Sequence, residues 1–272
     1  MSSGGPTLVP AAPDEPGPLE LALRQRRDAG HKLLVPYVTG GLGQWTAALE
    51  AVVSAGGDAV EVGIPFSDPM MDGPTIQEAS MRALAAGTTP EGIISDLAAM
   101  DPSAPLAVMT YYNLVYRHGH RRMAASLVAA GVSGAIVPDV PLDEIGDWAA
   151  AADWAGLETV LLAAPTTPDE RLPALCARSR GFVYGVGRMG VTGERESLAA
   201  SATIMAKRLR AVTDKPVLIG IGVSTPAQAV EACTEADGVV VASALVRRML
   251  DGAGPEGVGD LVAEFRAALD RG

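Results

Sequence analysis

Several common functional devices are missing from this chain. It has two cysteines, Cys176 and Cys233, with no C-x-x-C spacing, so neither a disulfide framework nor a zinc ribbon is encoded. Both fall in predicted helices and read as reduced thiols of a cytoplasmic protein. Its three histidines are His31, at a predicted barrel bottom, and His118 and His120, in a predicted loop. That scatter reads as solvated surface and leaves out a metal aldolase, so no metal site is expected. The only lysines are Lys32, Lys207 and Lys215, two at predicted strand starts and one on a helix, so no Schiff-base lysine points into a barrel. There is no basic run, and the net charge is −11, which argues against nucleic acid and anionic membranes as partners. No apolar run reaches membrane-spanning length, and the N-terminus lacks the basic and apolar regions of a signal peptide. Aromatics are 4% of the residues against 48% hydrophobic, so the core is built from Ala, Val, Leu and Ile.

What is present is a repeated pattern of short apolar strand, polar or Gly/Pro-rich loop and amphipathic helix. Strands are expected at 33–39, 59–62, 106–110, 134–137, 159–162, 182–185, 216–219 and 238–241. Helices are expected near 19–29, 45–54, 75–86, 90–100, 121–129, 142–155, 168–179, 198–212, 226–235 and 258–269. Eight strands alternating with helices in 272 residues predict an α/β fold, a TIM (β/α)8 barrel with an extra N-terminal helix. A doubly wound sheet is the alternative, but no G-x-G-x-x-G opens the first helix. Residues 1–18, rich in Pro, Gly, Ser and Ala, read as a disordered extension, and residues 19–272 as one catalytic domain.

In such a barrel the site lies at the C-terminal ends of the strands, which supply Tyr37, Thr39, Glu61, Tyr111, Asn113, Asp139, Tyr184, Gly220–Gly222 and Ser243. The stretch Val60–Gln77, VEVGIPFSDPMMDGPTIQ, supplies Glu61 inside an apolar strand and Asp72 beyond a loop with three prolines, followed by a helix capped by Thr75. A Glu among valines either faces solvent at the rim or sits desolvated with a raised pKa, and the second state suits a general acid/base. The lack of polar alternation favours the second. Asp72 taken alone is an Asp-Gly-Pro turn residue; paired with Glu61, it offers a second carboxylate in a different environment. The Gly-rich loop 187–195, with Arg188 and Thr192, is either an ordinary surface loop or a lid. Gly220–Gly222 and Ala242–Ser243 lie where barrels commonly hold phosphate, after the seventh and eighth strands. Neither segment has a Lys or Arg, so amides and a helix dipole would have to bind the anion.

The Val60–Gln77 stretch closely resembles the signature of the tryptophan synthase alpha subunit family. So do Met109–Val115, Val137–Pro141, Ala164–Thr167 and Arg188–Gly193, in order across nearly the whole barrel. The resemblance implies cleavage of indole-3-glycerol phosphate to indole and glyceraldehyde 3-phosphate, with no cofactor in this chain. It implies Glu61 as acid/base and Asp72 as its partner at the indole nitrogen. Tyr184, Thr192, Tyr111, Leu34 and Ile221 would contact substrate, and Gly193, Gly222, Ala242 and Ser243 would hold phosphate. It further implies a pyridoxal-phosphate-dependent beta subunit in an α2β2 heterotetramer, docking at Pro65, Asp68, Asn113 and Asp139. The chain departs from the family pattern at Ala242, where Gly is usual, at Met71, where a small residue is usual, and at Leu34, where an aromatic is common. Gly41-Leu42-Gly43 also replaces the usual Gly-Asp-Pro. The alternatives are a stand-alone lyase and a weakly catalytic barrel kept as an allosteric partner; the intact carboxylates argue against the latter.

Overall fold

The computed structural model describes residues 9–187, 195–220 and 222–272, with the backbone alone for 195–200. The strands are β1 (Leu33–Thr39), β2 (Val60–Gly63), β3 (Leu106–Met109), β4 (Val132–Ile136), β5 (Glu158–Ala163), β6 (Val183–Val186), β7 (Val217–Gly220) and β8 (Gly238–Val241). They pair in parallel and in chain order, and β8 closes on β1. The helices are α1 (Pro18–Asp28), α2 (Trp45–Ser54), α3 (Pro74–Ala85), α4 (Pro90–Ala98), α5 (Tyr112–His118), α6 (His120–Ala129), α7 (Gly146–Ala155), α8 (Leu172–Arg178), α9 (Arg195–Arg210), α10 (Pro226–Ala232), α11 (Ser243–Leu250) and α12 (Gly254–Leu269). This is the expected TIM barrel.

Strand alternation divides the core into two layers. Leu33, Val35, Ala59, Ala107, Ile136, Val160, Phe182, Leu218 and Val240 fill the barrel interior. Leu34, Val38, Val60, Val62 and Val108 face outward into the strand–helix layer. The interior continues downward into Leu19 and Leu23 of α1, which plug the bottom. Glu158 at the start of β5 fixes that plug. Its buried carboxylate accepts the Leu19 and Glu20 N–H groups at 2.7 and 3.1 Å, two donors that the first turn of a helix leaves open.

Local sequence sets several helix starts. Thr89 accepts the Gly92 N–H ahead of α4, and Thr225 with Gln228 forms a capping box on α10. Other starts depart from expectation. Helix α3 begins at Pro74 with Gly73 as N-cap, because proline's fixed φ suits the first helical position, so Thr75 is already inside. The loop expected around His118 and His120 is two helices, α5 and α6, broken at Gly119 with φ +91°. His118 ends one and His120 begins the other. The disorder expected through residue 18 does not hold from Val9 onward: Val9 packs on the outer core, and Arg180 donates to the Glu15 carbonyl at 3.3 Å. Among the described residues no helix is long and apolar enough to cross a membrane.

Candidate active site

The catalytic-end cavity has a volume of about 110 Å³ and opens over the C-terminal ends of the strands. Inward-facing positions of different strands build it. Glu61 comes from β2, Tyr184 from β6, and Tyr37 from β1, where it lies in register with Glu61. Two glycines make room for the two phenols. A Cβ at Gly63 would lie 1.8 Å from the Tyr37 hydroxyl, and one at Gly220 would lie 2.3 Å from the Tyr184 hydroxyl. The strand ends are therefore glycine because aromatic rings lie across them.

Glu61 is 1% exposed, and its Oε2 accepts no hydrogen bond from the described residues. Burial raises its pKa to about 8, and the nearby Asp72 charge adds to the rise. A neutral carboxylic acid facing a cavity at physiological pH is a proton donor in waiting. Asp72 lines the same cavity from the β2–α3 loop. Burial raises its pKa too, but a hydrogen bond with Tyr111 opposes the rise. The two carboxyls thus occupy different environments, as a general acid and its companion base require. Tyr37 and Tyr184 are raised well above the usual phenol range, chiefly by burial, so both rings stay neutral beside the pair.

The Asp72 loop is held from outside the barrel. The Tyr111 hydroxyl accepts the Met71 N–H at 3.1 Å, and its ring stacks on Phe66 at 5.1 Å. Gln77 Nε2 donates to the Asp72 carbonyl at 2.8 Å. Tyr111 therefore grips two points of the loop and does not itself form part of the cavity wall. Met71 does line the cavity.

At the opposite rim lie Gly222, with φ +95°, Ala242 and Ser243. Ala242 is the N-cap of α11 and provides no side-chain cap, and Ser243 is its first residue. The first-turn N–H groups of α11 therefore face the rim at the positive end of the helix dipole. Among the described residues no Lys or Arg lines the cavity.

Leu34 does not fit its expected place. It is 1% exposed and faces the helices, because strand alternation sends Leu33, Val35 and Tyr37 inward. The β1 aromatic at the cavity is Tyr37, three residues on. Period-two parity from Tyr37, the strand partner of Glu61, was the signal that could have turned Leu34 outward. Pro65 is buried, whereas Asp68, Asn113 and Asp139 are exposed. Asp139 accepts the Tyr112 N–H at 2.9 Å and so ties the end of β4 to the start of α5. Arg188, Thr192, Gly193 and Ile221 lie outside the described residues. His118 and His120 pair with Glu91 and Tyr112, at 3.4 and 3.0 Å, and among the described residues no His, Cys, Asp and Glu cluster is arranged to hold a metal. Burial raises the Cys176 and Cys233 thiols to about 11 and about 12, the range of inert core sulfur.

Comparison with known proteins agrees with this geometry. The family model described as tryptophan synthase alpha chain matches residues 23–264. The tryptophan synthase alpha chain of Thermobifida fusca is 42% identical over 261 residues, covering 93% of this chain and 97% of that one. That of Streptomyces coelicolor is 43% identical over 252 residues, covering 89% and 93%. Among solved structures, Mycobacterium tuberculosis tryptophan synthase superposes with a TM-score of 0.86 at 38% identity, covering 94% of this chain and 99% of that chain. The alpha subunit of Legionella pneumophila gives a TM-score of 0.85 at 27% identity, covering 94% and 100%. From residue 23 to residue 264, over a closed barrel with a buried Glu across a cavity from an Asp, this chain belongs to the tryptophan synthase alpha chain family.

Proposed function

We propose that the cavity between Glu61 and Asp72 is where this chain carries out the alpha-chain reaction of tryptophan biosynthesis, the retro-aldol cleavage of indole-3-glycerol phosphate. Direct scission would expel a poor indole carbanion. Protonating indole C3 while N1 loses its proton gives an indolenine, whose C=N carbon can accept the electrons of the breaking bond. A base then removes the glycerol hydroxyl proton. The C–C bond breaks toward the ring, N1 takes its proton back to restore indole, and the chain departs as glyceraldehyde 3-phosphate. Glu61, neutral near pH 7, is suited to protonate C3, and as the resulting carboxylate it can take the hydroxyl proton. Asp72 accepts the N1 proton or its hydrogen bond.

The neighbouring residues supply binding. Tyr184 lines the ring site, joined by Tyr37 in the place expected of Leu34, and Tyr111 holds the Asp72 loop. Gly193, Gly222, Ala242 and Ser243 receive the phosphate through amides and the α11 dipole. Thr192 and Ile221 retain their expected roles toward substrate, with Thr192 meeting Asp72 when the loop closes. The step is acid–base throughout and calls on no cofactor in this chain. Residues 19–272 act as a single catalytic barrel behind the 1–18 extension. The chain works in the cytoplasm, joined in an α2β2 assembly to a beta subunit that carries pyridoxal phosphate. Asp68, Asn113 and Asp139 form the docking face, with Pro65 supporting it from beneath.

The observation that carries this reading is the elevated pKa of buried Glu61 across a cavity from Asp72. Glu61→Gln is the test, because the amide preserves shape but cannot transfer the proton. Indole release should fall by roughly 10²–10⁴-fold with substrate binding retained. Turnover near that of the native chain would remove Glu61 from the mechanism.

A further inference from the structure

Among the described residues a cluster of cations with donors to spare lies at the opposite end of the barrel. Three bottom loops, α1–β1, α9–β7 and α10–β8, enclose a cleft of about 410 Å³ lined by Arg27, Lys32, Arg210 and Lys215, with His31 beside them. In a chain of net charge −11, two of its few lysines converge here. The carboxylates on the cleft wall are already engaged: Asp237 accepts the Val217 N–H at 2.8 Å, and Asp214 pairs with Arg24 at 3.1 Å.

The simplest alternative is that these cations only cap backbone carbonyls. That accounts for Lys215, whose ammonium donates to the carbonyls of Cys176, Ala177 and Ser179 and so neutralises the negative end of α8. It does not account for the rest. Lys32 gives one bond, to the Ala236 carbonyl at 3.1 Å, out of three available donors. Arg210 gives one, to the Glu235 carbonyl at 3.3 Å. Arg27 uses Nε on Asp28 and one Nη on the Asp214 carbonyl, leaving the other Nη. Three cations, Arg27 and Lys32 from the α1–β1 connection and Arg210 from the end of α9, therefore face one cleft with hydrogens to spare.

We propose that this cleft is an anion site for a small polyphosphate group, such as a diphosphate or a diphosphate ester, distinct from the catalytic cavity. Lys32 would supply a point charge and Arg27 and Arg210 planar guanidinium donors, a combination suited to several phosphate oxygens at once. Because the ligand would join the α1–β1 connection to the end of α9 on the stability face of the barrel, its effect is to stabilise the fold, leaving catalysis at the far end unchanged.

Inorganic pyrophosphate, titrated calorimetrically at low ionic strength with thermal melting in parallel, tests the proposal. The full chain should bind it and melt at higher temperature. Arg210→Gln, at an exposed residue with one long hydrogen bond, and Lys32→Gln with Arg210→Gln should weaken binding by roughly tenfold or more, with indole release unchanged. Ala242→Asp, which sets a carboxylate at the catalytic rim, should leave it intact. No binding to the native chain, undiminished binding to Arg210→Gln, or binding abolished by Ala242→Asp would each overturn the assignment. The single Arg210 variant keeps the test decisive if the double variant folds poorly.

Discussion

At the scale of single residues, buried Glu61 carries a stability cost that its proposed role as acid would explain. Below pH about 4.5 its carboxyl is protonated in both folded and unfolded chains. Between about 4.5 and about 8 the unfolded chain releases the proton while the buried group keeps it, so native stability declines as pH rises. Above about 8 both states are ionised and the whole penalty is present. Glutamine never ionises. Glu61→Gln should therefore match the native chain in stability near pH 4.5 and exceed it increasingly up to pH 8, by on the order of 4 kcal/mol there. Denaturant melts across that range check this; a difference independent of pH would place the carboxyl in water. The same titration should appear in indole release as a falling alkaline limb of kcat/KM near pH 8, where the acid form is lost. Glu61 was legible in the sequence because a lone charge in VEV has few reasons to exist. Tyr37 was legible as a strand-end residue, but the outward turn of Leu34 was not, because nothing in LLVPYVT marks which parity faces the axis until a neighbouring strand fixes the register.

At the scale of elements, the repeat of strand and helix was legible because the strands are mostly apolar and most connections are polar or carry Gly or Pro. Three local features escaped. Helix α5 begins at Tyr112 with no capping side chain from its own N-cap, and Asp139 caps it from 27 residues away, so MTYYNLV reads as a strand running into a loop. Pro74 displaces the apparent cap at Thr75. The third is Glu158, which looks like an ordinary charge before a strand but is a buried helix cap contributed from 138 to 139 residues away. Sequence proximity cannot reveal such a pair; only closure of the barrel brings β5 under α1. Its worth can be measured. Glu158→Ala leaves the Leu19 and Glu20 amides without their acceptor and removes a charge from the positive end of α1. A loss of roughly 2–3 kcal/mol follows from two unsatisfied, largely buried donors. The melting temperature should drop accordingly, while indole release at low temperature should be largely kept, since the plug lies at the end of the barrel remote from Glu61. A variant as stable as the native chain would mean that α1 is held by Leu19 and Leu23 alone.

At the scale of the whole molecule, the proposed catalytic carboxylate Asp72 and part of the proposed docking face share one loop. Asp72 points inward, while on the same stretch Asp68 is exposed and Met70 is 86% exposed, an unusual display for an apolar side chain. Tyr111 connects the two faces: it stacks on Phe66 and accepts the Met71 N–H, and it immediately precedes Tyr112 and Asn113, where Asp139 fixes the start of α5. A partner covering Met70, Asp68, Asn113 and Asp139 would thus press on both anchors of the Asp72 loop. Such a loop has an equilibrium between productive and unproductive placements of its carboxylate, and any contact that prefers one biases the other site. A coupling of about 1–3 kcal/mol would raise indole release roughly 5–150-fold. Titrating a beta subunit into the purified chain measures it, and Met70→Asp, which puts a charge on the apolar contact, should shift the titration to higher partner concentration while sparing the basal rate. Fast turnover by the isolated chain with a flat response to partner would favour a stand-alone lyase. Activation that Met70→Asp leaves untouched would keep the two-component enzyme but move the contact away from this loop.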